Sequence, residues 1–513
     1  MNSVPLSRAL PATAVVAVIG SGTMGAGIAQ VAAIAGHPVL LYDSYDGAAI
    51  KAIATIRAEL DRLATRGKIS EELAQAASDR LSAAGSLKAL SCAALVVEAI
   101  VEQLSAKQQL FEQLESIVAA HCILASNTSS LSITRIAASL RQPQRLVGMH
   151  FFNPVPQMAL VEIVRGLSSD AVVAQCAYDT AAAWGKVPVF ASSTPGFIVN
   201  RLARPYYAEG LRILNERGAQ PATVDAVMRE AGGFRMGPFE LMDLIGHDVN
   251  FAVTQSVFQA FFNDPRFTPS LIQQELVQAG HLGRKSGRGF YRYDQNQAPP
   301  LVETEPPCGT PPVPLQLFGT HPLVEVIRAR YKKGRVEYHP WRTDNLLMKA
   351  GPCRLYVTEG RTATQHSYDY DMPDLALVDL ALDYASATRL ALTKADQCRP
   401  RAYEMVVGVL QACGFEISPV ADVPGLIVMR TVCMLINEAA DAVNQGVCSA
   451  ADADMAMQKG VNYPRGPLAW ANTIGINTVA NVLRQLSATY GEDRYRVSPL
   501  LQRLQAAKRK FHE

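Results

Sequence analysis

The chain is 513 residues long, 49% hydrophobic and 18% charged, with nine cysteines and a net charge of +2. One hydrophobic core does not serve that length, so about two to four domains are expected, and the near-neutral charge gives no general attraction to nucleic acid or to an anionic membrane. The apolar stretches are short, with Glu98 and Glu162 interrupting two of them. No transmembrane helix fits, and cysteines without C-x-x-C or His–Cys clustering read as reduced thiols of a cytoplasmic protein that holds no metal.

MNSVPLSRALPATAVVAVIG carries one Arg and reads as an arm leading into a strand rather than as a signal peptide. AVVAVIG (14–20) is a β-branched run suited to a buried parallel strand. It leads into GSGTMG, where Gly20, Gly22, Thr23, Met24 and Gly25 form G-x-G-x-x-G. AGIAQVAAIA then predicts a helix that stops at Gly36, and PVLLYD a second strand ending at Asp43. In such a unit the glycines permit the tight turn, the approach of a pyrophosphate and close helix packing, and the helix amino terminus donates to phosphate. Asp43, 18 residues past Gly25, suits a ribose 2′-hydroxyl, and Ser44 and Tyr45 offer no cation for a 2′-phosphate, so NAD is expected.

RAELDRLATRGK (57–68) offers Arg66 and Lys68 as phosphate contacts, or simply as a solvated basic face. ALVVEAIVE (94–102), CILASNTSS (122–130) and RLVGMHFF each predict a strand followed by a loop. Ligands sit outside the carboxyl ends of such strands, so Glu102, Asn127, Ser129 and His150 fall on the rim where a nicotinamide would lie. His150 and Glu162 stand in two apolar runs separated by Asn153, Pro154 and Pro156.

GxGxMGxGIAQ, VVEAIVE, SNTSSL, HFFNPVP, LVEIV, TPGFIVNR, MGPFELMDLIG and GRKSGRGFY occur in the order found in L-3-hydroxyacyl-CoA dehydrogenases, which residues 14 to 292 resemble almost without gaps. The resemblance implies a Rossmann-type doubly wound α/β domain followed by an all-helical domain, and oxidation of (S)-3-hydroxyacyl-CoA to 3-oxoacyl-CoA with NAD. It makes His150 the catalytic base, Glu162 its carboxylate partner, and Ser129 and Asn200 the groups that hydrogen-bond the substrate oxygen. Glu102, Lys107, Ser129, Asn153 and Lys285 resemble cofactor contacts. An imidazole titrating near about 6.5 suits proton exchange at neutral pH, and a carboxylate on its far nitrogen fixes the tautomer.

After GRKSGRGFYRY, residues 298–314 hold seven prolines and read as a linker. Beyond it the helical segment recurs at a displacement of 229 residues: Pro195-Gly196 with Pro424-Gly425, Arg201 with Arg430, Asp225 with Asp454, Gly246 with Gly475. Asn200 corresponds to Met429, and no strand in 319–415 leads into G-x-G-x-x-G. The expected domains are 1–193 (NAD-binding), 194–295 (helical), 296–318 (linker), 319–420 (a reduced Rossmann-like domain) and 421–513 (a second, non-catalytic helical copy). Relatives with one helical domain pair through it, so the second copy is expected to pack on the first and imitate that dimer. A homodimer of the whole chain stays open.

The two-copy length resembles the bacterial family members that act on 3-hydroxyadipyl-CoA in phenylacetate degradation. 3-Hydroxybutyryl-CoA is the alternative, and Arg204 and Arg235 are cations available for a dicarboxylic chain. β-Hydroxyacid dehydrogenases share the Gly-rich opening but use a catalytic Lys motif absent here. A purely structural NAD-binding protein would not require Ser129, His150, Glu162 and Asn200.

Overall fold

The computed structural model describes residues 9–294, 300–310, 314–341 and 345–513. The expected N-terminal arm and parts of the Pro-rich stretch lie outside them. The chain divides into two compact units, Met1–Arg201 with Gln445–Asn462, and Leu202–Asn444 with Tyr463–Glu513. No helix among the described residues is long and apolar enough to cross a membrane.

The first unit is built on β1 (Val16–Ile19), β2 (Val39–Tyr42), β3 (Leu81–Ala83), β4 (Leu95–Glu98), β5 (Ile123–Ser126), β6 (Leu146–Phe151), β7 (Leu160–Arg165) and β8 (Val187–Ser192), in the spatial order β3-β2-β1-β4-β5-β6-β7-β8. Pairing is parallel from β3 to β6; β7 then reverses against β6 and pairs parallel with β8. The central strands are apolar and fully buried because helices cover both faces, as parallel pairing requires. Val16, Val18, Ile28, Leu41, Val97 and Val147 belong to one continuous core.

The second unit carries β9 (Leu315–Phe318), β10 (Val336–His339), β11 (Leu346–Ala350), β12 (Cys353–Val357), β13 (Leu375–Val378), β14 (Arg389–Lys394) and β15 (Glu416–Pro419), in the order β10-β9-β11-β12-β13-β14-β15. The sheet is mixed, with β11 antiparallel to both neighbours and β13 antiparallel to β14. Two elements depart from the linker reading. β9 begins at Leu315, and residues 303–308 are pinned rather than free. Glu303 N–H donates to Thr223 Oγ1 at 3.0 Å, Glu305 N–H to Ile417 O at 2.7 Å, and Cys308 N–H to Gln411 Oε1 at 2.8 Å.

Helices Arg204–Asn215 and Val428–Asn444, counterparts at the 229-residue displacement, pack on each other within the second unit. Helix Pro221–Glu230 of the first copy packs on β14 of the second sheet, where Leu382 N–H donates to Ala231 O at 3.0 Å. Its counterpart, Ala450–Gly460, packs on β7 and β8 of the first sheet. There Ser192 N–H donates to Val447 O at 2.8 Å and Ser192 Oγ–H to Gly446 O at 2.9 Å. Each helical copy therefore covers the sheet of the other copy.

Candidate active site

The turn after β1 shows why three glycines are needed. Gly20 sits at φ +95°, and a Cβ there would meet Ala99 O at 2.5 Å; a Cβ on Gly25 would meet Gly20 O at 1.8 Å. Around Gly22 the space is open, at the amino end of helix Thr23–Ile34. This is the cradle a pyrophosphate requires. Asp43 stands at the end of β2, where one oxygen accepts from Ser21 N–H and Ser21 Oγ–H, both at 2.7 Å, and the other from Tyr45 N–H at 3.0 Å. Burial would raise its pKa, but these donors together hold the carboxyl below its ordinary value. It thus ties the glycine loop in place and presents charge where a ribose would lie. The residues fit NAD.

Asp43→Ala is expected to weaken NAD binding about tenfold or more, through the lost charge-assisted contact and the loosened loop, and to slow turnover less at saturating NAD. Calorimetric titration with NAD checks this, and an unchanged affinity counts against the ribose contact.

Along the rim, Glu102 accepts from Thr128 Oγ1–H at 2.6 Å, Ser129 N–H at 2.9 Å and Ser130 N–H at 3.1 Å. Burial pushes its carboxyl up, but Thr128, Lys107 and Ser130 outweigh that and hold it below the ordinary value. Lys107 is buried, its ammonium 2.6 Å from the buried Glu98 at the end of β4 and 3.3 Å from Glu102 in the loop beyond. Asn127 accepts from Phe151 N–H at 2.8 Å and braces the end of β6. Asn153 is exposed in the loop beyond.

His150 and Glu162 face each other in the β6–β7 register. Their side chains, both buried, meet at 2.6 Å between Nδ1 and Oε2. Nδ1–H then donates to the acid and Nε2 keeps its lone pair. The other Glu162 oxygen accepts from Ile198 and Val199 N–H, both at 2.9 Å. That anchors the stretch carrying Asn200, whose Nδ2 donates to Ser129 O at 3.4 Å. The structure therefore brings His150 and Glu162 together, and Asn200 beside Ser129.

The second sheet lacks this pair. At the 229-residue displacement His150 becomes Asp379, Glu162 becomes Ala391 and Asn200 becomes Met429. Asp379 accepts from Leu380, Ile427, Val428 and Met429 N–H at 2.7–3.0 Å. It keeps the helix-anchoring half of the role of Glu162 with no imidazole beside it.

Lys285 lies in the second unit, 2.5 Å from Asp248. Arg66 and Lys68 stand exposed in the turn after helix Ala48–Thr65. Arg204, expected as an available cation, is buried against Tyr207 and donates to Thr254 Oγ1 at 3.0 Å; Arg235 is exposed. Sequence reasoning missed three contributors. Glu98 anchors Lys107 and accepts from Ser126 Oγ–H at 2.6 Å, and its interruption of an apolar strand was the available signal. Lys186 braces the 152–159 loop through Val155 O and Met158 O at 2.5 and 2.9 Å. Gly460 packs on Leu160 and Val199 so closely that a Cβ would meet Leu160 at 2.7 Å.

Comparison with known proteins agrees with this geometry. The family description "3-hydroxyacyl-CoA dehydrogenase, NAD binding domain" matches residues 15–194, and its C-terminal domain matches residues 196–293 and again 425–511. A "3-hydroxybutyryl-CoA dehydrogenase reduced Rossmann-fold domain" matches 355–424. The 3-hydroxyadipyl-CoA dehydrogenase of Escherichia coli (strain K12) is 43% identical over 95% of this chain and 96% of its own length. A crystal structure of 3-hydroxybutyryl-CoA dehydrogenase from Escherichia coli K12 superposes with TM-score 0.87 at 42% identity, covering 96% of this chain and 98% of that one. An (S)-3-hydroxybutyryl-CoA dehydrogenase from Ralstonia eutropha is 39% identical with TM-score 0.54, covering 55% of this chain and all of its own. The chain belongs to the 3-hydroxyacyl-CoA dehydrogenase family in its long, two-copy form, and is an NAD-dependent oxidoreductase.

Proposed function

We propose that the chain oxidises the C3 hydroxyl of an (S)-3-hydroxyacyl-CoA, with 3-hydroxyadipyl-CoA as the preferred substrate. The observation that carries the catalytic assignment is the 2.6 Å contact of His150 Nδ1 with Glu162. Bound NAD supplies the acceptor for the hydrogen and electron pair lost from C3. His150 Nε2 takes the hydroxyl proton, and Glu162 stabilises the imidazolium so formed. Ser129 and Asn200 orient the C3 oxygen. Glu102, Lys107, Asn127, Asn153 and Lys285 join the glycine loop and Asp43 in holding the dinucleotide, while Arg66 and Lys68 take the CoA phosphates.

The adipyl preference is supported by the name of the 43% identical relative that the chain matches along its length, and a role in phenylacetate degradation is part of the same proposal. The butyryl reading is favoured by the name of the structure at TM-score 0.87. A panel of (S)-3-hydroxyadipyl-CoA and (S)-3-hydroxybutyryl-CoA, followed at the NADH absorbance band, separates them. The expected outcome is a kcat/KM about tenfold or more higher for the dicarboxylic substrate. An equal or reversed ratio removes the adipyl assignment, and no turnover with either removes the catalytic one.

We also propose that the second helical copy imitates, within one chain, the homodimer of single-copy relatives. The pairing of counterpart helices Arg204–Asn215 and Val428–Asn444 supports it, as does the reciprocal covering of each sheet by the helix of the other copy. Such reciprocity is the mark of an isologous interface. Scattered cysteine usage supports the cytoplasm as the compartment.

A further inference from the structure

A cavity of about 940 Å³ opens in the second unit at the carboxyl ends of β9, β12 and β13. We propose that it binds a nucleoside monophosphate. This reading is independent of the substrate assignment above.

The position is one where doubly wound sheets take ligands. Met429, the counterpart of Asn200, lines the cavity, so the duplicate keeps an opening at the matching place after losing the base, the acid and the amide. Among the described residues this lining carries no counterpart of the His150–Glu162 pair.

The charges select an anion. The acids of the wall are already engaged: Glu230 with Arg389 at 3.1 Å, Glu359 with Arg361, and Asp383 with Ser386 Oγ–H at 2.6 Å and Ala385 N–H at 3.0 Å. Arg465 differs. Its guanidinium meets the Thr473 hydroxyl at 2.7 Å and, among the described residues, no carboxylate. It is the wall's cation with charge to spare, a donor suited to phosphate oxygens.

The rest of the wall suits a base and a sugar. Trp470 and Tyr384 reach the wall from largely buried positions and make it apolar there, and the exposed hydroxyls of Thr320 and Thr478 can pair with ribose hydroxyls. A full dinucleotide lacks its second anchor, because β10 ends in His339 where β2 is followed by Asp43.

Equilibrium dialysis of the full chain with AMP tests this. AMP also resembles half of NAD, so the first site is weakened with Asp43→Ala and AMP is kept below the concentration at which that weakened site fills. The wild type is expected to bind two AMP per chain and Asp43→Ala one. Adding either Arg465→Ala or the plugging change Thr320→Trp should weaken that remaining site about tenfold or more. Arg465→Ala alone should leave turnover without AMP unchanged. The proposal is overturned if Asp43→Ala binds no AMP saturably, or if neither further change weakens the binding. Inorganic phosphate binding as tightly as AMP overturns the nucleoside part. A chain that fails the substrate panel yet still binds AMP in the Asp43→Ala background keeps this inference intact.

Discussion

His150→Gln is expected to lower kcat by about 10³-fold, within the range that a positioned general base contributes, while NAD affinity changes by less than about twofold. Glutamine can still donate to Glu162 from a similar position, so the β6–β7 pairing and the glycine loop stay as they are. Its amide cannot accept a proton at neutral pH, so the alcohol is bound but not deprotonated. Steady-state rates beside an NAD titration make the distinction, and residual turnover above about a tenth of wild type rejects His150 as the base. Glu162→Gln separates orientation from proton transfer. Its new amide NH₂ either faces Nδ1–H or meets the Ile198 and Val199 N–H groups that the carboxylate now accepts from. That variant should lose stability as well as rate, whereas His150→Gln should lose rate alone.

Arg430→Met is expected to cost the second unit about 3–5 kcal/mol, the range for breaking a buried ion pair from one side. The Arg430 guanidinium is fully buried, 2.7 Å from Glu209, 2.9 Å from Glu216, and within hydrogen-bonding distance of the Tyr490 and Tyr495 hydroxyls. Its removal leaves Glu209, itself fully buried, with Arg212 as its ion-pair partner and the Tyr495 hydroxyl at 3.0 Å. Burial raises the Glu209 carboxyl, but Arg212 and Arg430 outweigh it and hold it below the ordinary 4.5. A carboxyl depressed in the fold stabilises it above its unfolded value and loses that contribution as pH falls through the folded one. The deficit of the variant should therefore be largest near neutrality and narrow below about pH 4. Urea unfolding at both pH values measures it, and a loss under about 1 kcal/mol at pH 7 rejects the reading.

Much of the site was legible because its determinants are local. G-x-G-x-x-G between a β-branched run and a helix allows few backbones, and Gly20 and Gly25 occupy the tight positions expected of them. The His150–Glu162 contact was legible from two buried titratable groups in apolar runs around a proline-broken turn. The reversal of β7 that makes them neighbours was not written in either run. Arg204 was misread as an available cation. Sequence reports a cation, but its direction is set by packing, here on Tyr207 and on Thr254 of a later helix. The placement of Ala450–Gly460 on the first sheet was likewise invisible, since its amphipathic pattern shows an apolar face and not which strand covers it.

The two helical copies carry opposite charges at one matched place. Arg212 in the first copy neutralises Glu209; its counterpart in the second is Asp441, which joins Glu438 in holding Arg266. Two identical polypeptides related by a two-fold axis show the same side chain on both faces, so a base on one and an acid on the other is closed to them. Within one chain the two faces are free to differ, and a first copy set against its own duplicate would bring Arg266 to an arginine where it now meets Asp441.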